Sequence, residues 1–135
     1  MTTTRDEITI NIGNLIGQAA NASTDTWDYV AYVFSYEGNG LIGGQALLYK
    51  DRNQIKLLTR PIRKELRTNF LRLREITRVD GDDYWIRCLA VVKNEGKKFK
   101  MLFEFDDASR WEITPANARD AYKIVIGDVF PEALE

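Results

Sequence analysis

One ten-residue run, WDYVAYVFSY at positions 27–36, limits the possible folds more than any other stretch of the chain. Val30, Tyr32, Phe34 and Tyr36 occupy one parity, and the opposite parity, Tyr29, Ala31, Val33 and Ser35, is nearly as apolar. A strand wetted on one face alternates apolar with polar residues, so a strand apolar on both parities must be covered on both faces or lie at an interface. An open face of this kind would serve a partner protein or a homodimer. The cluster Gly38, Asn39, Gly40 breaks the run before residues 41–50 resume strand composition, which predicts a hairpin. Gly43 and Gly44 in the second strand predict a bulge or a close backbone approach.

The flanking segments change period. Thr4 followed three residues later by Glu7 is a capping box, and Ile8, Ile12, Leu15, Ile16 and Ala19 then recur at helical spacing, predicting a helix over about 5–20. Pro61 near a first turn, followed by Ile62, Leu66, Phe70 and then Leu73 or Ile76, predicts a second helix ending near residue 79. Strand composition returns over 84–93. In 97–105, Phe99, Met101, Phe103 and Phe105 share one parity while Lys98, Lys100 and Glu104 share the other. Thr114 and Pro115 offer an N-cap and a first-turn proline for a helix from 115 to about 126, closed by Gly127. The order is α-β-β-α-β-β-α. It predicts a single α+β domain over 1–135, with an antiparallel sheet of four or more strands and, most simply, its helices gathered on one face.

Composition removes several chemistries. The 135 residues include no His, so no Ser-His-Asp or Cys-His relay and no His-based metal site can be built. The single Cys88 excludes an internal disulfide, and inside the apolar run 86–92 it reads as a core residue in a reducing compartment. No window approaches 18 consecutive apolar residues, and the first seven residues are polar, so the expectation is a cytoplasmic protein without a membrane partner. No carboxylate pair, P-loop or calcium loop is spelled out, and the expectation is a non-catalytic protein without cofactor or metal.

Charge is unevenly placed. Residues 1–49 hold one basic and five acidic side chains, residues 50–103 hold 15 and seven, and residues 104–135 hold three and eight. The basic third includes a helix face with Arg63, Lys64, Arg67, Arg72 and Arg74, which is the candidate surface for a nucleic acid. The acidic candidates are turns. Asp82 and Asp83 follow the second helix, Asp106 and Asp107 follow the last strand, and Glu112 lies just beyond. Trp85 and Trp111 stand beside them as candidate aromatic anchors for a protein partner.

A resemblance sharpens this reading. The run Phe103-Glu104-Phe105-Asp106-Asp107, followed by Arg110-Trp111-Glu112-Ile113-Thr114-Pro115-Ala116-Asn117 and preceded by a Gly-Lys-x-Phe strand, resembles the C-terminal part of YezG-like immunity proteins of bacterial polymorphic and contact-dependent toxin systems. The resemblance implies a small cytoplasmic α+β protein whose partner is a cognate toxin domain, typically the C-terminal domain of a large secreted protein. It implies inhibition without chemistry, by covering the toxin's active site or target-binding surface. A nucleic-acid-binding or regulatory module using the helix at 61–78 is the alternative.

Overall fold

A computed structural model describes residues 4–37, 41–78, 81 and 83–135. The chain forms α1 (Arg5–Ser23), β1 (Tyr29–Tyr36), β2 (Ile42–Lys50), β3 (Asn53–Ile55), α2 (Arg63–Ile76), β4 (Arg87–Lys93), β5 (Lys98–Glu104) and an irregular helical segment over 118–134. The five strands make one antiparallel sheet in the order β3-β2-β1-β4-β5, so the doubly apolar run is its central strand.

The two parities of β1 fill two separate cores. Val30 and Phe34, with Leu48, Cys88 and Ala90 of the neighbouring strands, pack under α1 and α2. Tyr29, Ala31 and Val33, with Leu47, Leu89 and Val91, pack under Trp111, Val125, Ile126, Val129 and Phe130. The helices are therefore not gathered on one face: α1 and α2 cover one side and the C-terminal segment covers the other. Two apolar parities need two covers, and this chain supplies both. The sheet face suggested as a partner or homodimer surface is filled by the chain's own C-terminal segment.

Helix α1 starts where the sequence indicates, with the Glu7 N–H donating to Thr4 Oγ1 at 3.1 Å. It runs to Ser23 and buries Ile8, Ile12, Leu15, Ile16 and Ala19 as expected, together with Ala20. Helix α2 is shorter at both ends than the predicted span; it buries Leu66, Phe70 and Leu73, while Ile76 is exposed. Residues 38–40, 79, 80 and 82 lie outside the described residues, so the expected glycine turn and Asp82 are not described.

Of the bulge or close approach expected at Gly43 and Gly44, the structure shows the second: the pairing runs unbroken through Phe34↔Gly44 and Ser35↔Gly43, and the bare strand leaves space for side chains from β1 that come up against it. The reading of Gly127 is corrected. Gly127 does not end a helix. Its φ of −63° is helical, and a Cβ there would lie 2.7 Å from Leu134 Cδ1, so the missing side chain admits the returning chain end.

The predicted regular helix from Pro115 is also corrected. Asn117 Oδ1 accepts the Thr114 N–H at 2.7 Å while its amide donates to the Glu112 carbonyl, which holds a turn in place of a first helical turn. Short 3₁₀ turns over Ala118–Asp120 and Pro131–Leu134 then flank a π-helical Tyr122–Ile126 and a final α turn at Gly127–Val129.

Strand β3 was not expected. Asp51 and Arg52 form a two-residue hairpin turn with φ of 51° and 65°, a left-handed pair usually given to Asn-Gly. External bonds hold it: the Asp51 N–H donates to Asp28 Oδ2 at 2.7 Å, and Arg52 Nη2 donates to the carbonyls of Ala133 and Glu135 at 3.0 and 3.1 Å.

Candidate functional site

Strand β5 ends at Glu104, opposite Arg87 at the start of β4, so the segments after 104 and before 87 meet at one end of the sheet. Glu104 organises that end. Its Oε2 accepts the N–H groups of Asp106 and Asp107, each at 3.1 Å, and its Oε1 accepts Arg110 Nη1 at 2.8 Å. Arg110 continues to Asp128 Oδ2 at 3.2 Å, and the same oxygen accepts Trp111 Nε1 at 2.7 Å. Asp107 Oδ1 accepts both the N–H and the hydroxyl of Ser109, at 2.9 and 2.7 Å. The turn 104–111 is thus held at several points by charge-assisted bonds, which are the strong ones.

Trp111 stands inside this network at φ +63°, a left-handed conformation seldom taken by a bulky residue. It is buried, with the Arg110 guanidinium 4.2 Å from its ring centre. Its hydrogen bond to Asp128 and its packing on the C-terminal core oppose the strain that the backbone carries. Trp85 is buried too, packed against Phe34 and Phe103, with its Nε1 donating to Thr77 Oγ1 at 3.0 Å. Neither tryptophan offers a surface anchor: both are core residues that shape the loops around them.

The acids are placed differently. Asp106, Asp107 and Glu112 are exposed, and Asp83 is exposed on the segment entering β4 at the same sheet end. Phe105, expected in the core by parity, is 50% exposed beside the two aspartates, because β5 stops one residue earlier. It is the aromatic that the sequence reading missed at this surface. A strand-end position followed by two aspartates was the available signal, since strand parity loses its meaning once the ladder ends.

The basic face divides in two. Arg63, Lys64, Arg67 and Arg72 are exposed on α2. Arg74 is structural: its Nε donates to the Trp85 carbonyl at 2.8 Å, and its guanidinium lies 3.9 and 4.3 Å from the ring centres of Tyr36 and Tyr84.

The Arg110 hydrogen bond, with the backbone N–H groups of Asp106 and Asp107, holds the Glu104 carboxyl down to about 2 from an ordinary 4.5. Asp107 is lowered as well, mainly by the Ser109 hydroxyl and N–H, with a smaller contribution from Arg87. A carboxylate lowered in the folded state adds stability that is fully present above its unfolded pKa and is lost as pH falls through the folded value. The Glu104 contribution should therefore fade between about pH 4.5 and 2. Carboxyl ¹³C titration should give Glu104 a midpoint near 2 in the native chain and a higher one in Arg110→Ala; an unchanged midpoint in the variant would refute Arg110 as the main cause.

Among the described residues, no group of three or more His, Cys, Asp and Glu side chains is placed to hold a metal ion, and no helix is long and apolar enough to cross a membrane. Fold and site together define an α+β domain whose five-stranded antiparallel sheet is covered on both faces and carries a braced acidic turn at one end. No family model matches the chain, and no curated protein matches it.

Proposed function

We propose that this domain is a cytoplasmic immunity protein. In this reading it neutralises a cognate toxin domain without turnover, using the acidic turn to cover the toxin's active site or target-binding surface. The observation that supports it best is the bracing of residues 105–107 by Glu104 and Arg110, which presents Asp106, Asp107 and the half-exposed Phe105 on a fixed backbone. The segment resembling YezG-like proteins contains this turn. An inhibitor of a lethal enzyme needs fast association and slow release. Exposed carboxylates speed encounter with a basic surface, and an aromatic side chain docked in a pocket slows escape. A backbone ordered before binding also reduces the entropic cost of association.

The test is a tagged pull-down from the source cell, with mass spectrometry of what co-purifies and measurement of the partner's association rate. Recovery of the C-terminal domain of a large secreted protein is expected, and Asp106→Lys with Asp107→Lys should slow association roughly tenfold or more at low salt. Recovery of nucleic acid alone, or an unchanged rate in the double variant, would overturn this use of the turn. The alternative, a nucleic-acid module, rests on the exposed Arg63, Lys64, Arg67 and Arg72 of α2. It requires an affinity that falls steeply with salt.

A further inference from the structure

A small cavity opens between the start of α2 and strands β1 and β2, away from the acidic turn. Its volume is about 170 Å³, and its polar wall consists of Tyr32, Thr59, Arg63 and Arg67, with no carboxylate in the lining. That is below the roughly 300 Å³ at which pockets for drug-sized ligands begin, so its size suits an ion or the end group of a larger molecule.

Every polar side chain in the wall can donate a hydrogen bond. Arg63 and Arg67 stand one helical turn apart on the same face, and neither guanidinium has an ion-pair partner among the described residues. Two like charges at this spacing repel each other unless an anion lies between them. Arg63 is also the first residue of a 14-residue helix whose N-cap, Ile62, supplies no side-chain acceptor, so the partial positive charge of the helix start adds to theirs. Tyr32 is held by stacking on Phe70 at 5.6 Å and 21°, and its hydroxyl has no hydrogen-bond partner among the described residues. Burial raises the Tyr32 phenol above its ordinary pKa, while Arg63 and Arg67 both pull it down, which places the two guanidiniums within electrostatic reach of that oxygen. Gly44 makes room for it: a Cβ there would overlap the Tyr32 hydroxyl.

We infer that the cavity bounded by Tyr32, Thr59, Arg63, Arg67 and the Gly43–Gly44 strand is a binding site for a terminal phosphate group, free or as a monoester. Guanidinium forks match phosphate oxygens in pairs, and the hydroxyls of Tyr32 and Thr59 complete a set of donors. An internal phosphodiester has chain on both sides and does not fit a small recess. The site is independent of the partner proposed for the acidic turn.

The test is an NMR titration of the full chain with potassium phosphate, against potassium chloride at matched ionic strength, reading the amides of Gly43, Gly44 and Arg63. Phosphate should shift these amides to saturation and chloride should not. The double variant Arg63→Gln with Arg67→Gln, altered only at exposed positions, should weaken the effect roughly tenfold or more, since bonds to charged groups are the strong ones. Arg119→Gln, exposed on the C-terminal segment, removes the same kind of charge elsewhere and should titrate as the native chain does. Adenosine monophosphate and a 5′-phosphorylated oligothymidine distinguish the source: tighter binding than inorganic phosphate assigns a nucleotide end, and equal binding assigns the free ion. Shifts that fail to saturate, a double variant that titrates like the native chain, or an oligothymidine without terminal phosphate that acts equally well would each overturn the inference.

Discussion

Replacing Phe70 with Ala is expected to lower the unfolding free energy by about 3–5 kcal/mol, the range for truncating a buried aromatic. The ring is fully buried on α2 and stacks on two residues of β1, with centroids 4.8 Å from Phe34 at 9° and 5.6 Å from Tyr32 at 21°. It therefore joins the central strand to its helical cover through one side chain. Domains of this size have about 5–15 kcal/mol in all, so the variant should unfold at a much lower urea concentration with the slope little changed. A loss below about 1 kcal/mol, typical of an average substitution, would mean that α2 is not docked as described.

Deleting residues 114–135 should have a larger effect: the remaining chain should not fold cooperatively. The deletion removes Val125, Ile126, Val129 and Phe130, all buried against the sheet. At about 1.5–3 kcal/mol for each such side chain, their burial is on the scale of the whole domain's stability. It also bares Ala31, Val33, Leu47, Leu89 and Val91, a contiguous apolar sheet face that promotes association. Circular dichroism and size-exclusion chromatography should show a broad, non-cooperative transition and soluble aggregates or higher oligomers. A truncated monomer with a sharp transition would show that the second core is accessory.

The strongest sequence signals were those in which local chemistry and tertiary need agree. Thr4 caps α1 as its hydroxyl requires, and the double parity of β1 is met by two cores. The missed features are those fixed from a distance. Asp51 and Arg52 turn left-handed because Asp28 and the carbonyls of Ala133 and Glu135 hold them, and no local residue type announces such a turn. Gly127 reads as a helix stop from its neighbours, yet its bare Cα serves Leu134, a contact that only the returning chain end creates. At the candidate site the turn and its acids were legible, because Asp clusters mark turns. The two tryptophans were not, because large aromatics beside acidic turns look alike whether they anchor a partner or support the loop. What decides is the indole N–H, and both find internal acceptors, Thr77 and Asp128. The helix-face arginines divided on the same principle, since Arg74 is stacked between Tyr36 and Tyr84 while Arg63, Arg67 and Arg72 are exposed.

Cys88 lies on β4 with no measurable exposure, in the core under α1 and α2, and burial pushes its thiol well above the ordinary range. Reaction with a disulfide reagent needs an exposed thiolate, and this side chain provides neither exposure nor charge while the sheet is closed. As the chain's single thiol, it is a native clock for opening of the central strands. The rate at which it becomes modified reads the population of molecules whose innermost ladder has parted, without any introduced label.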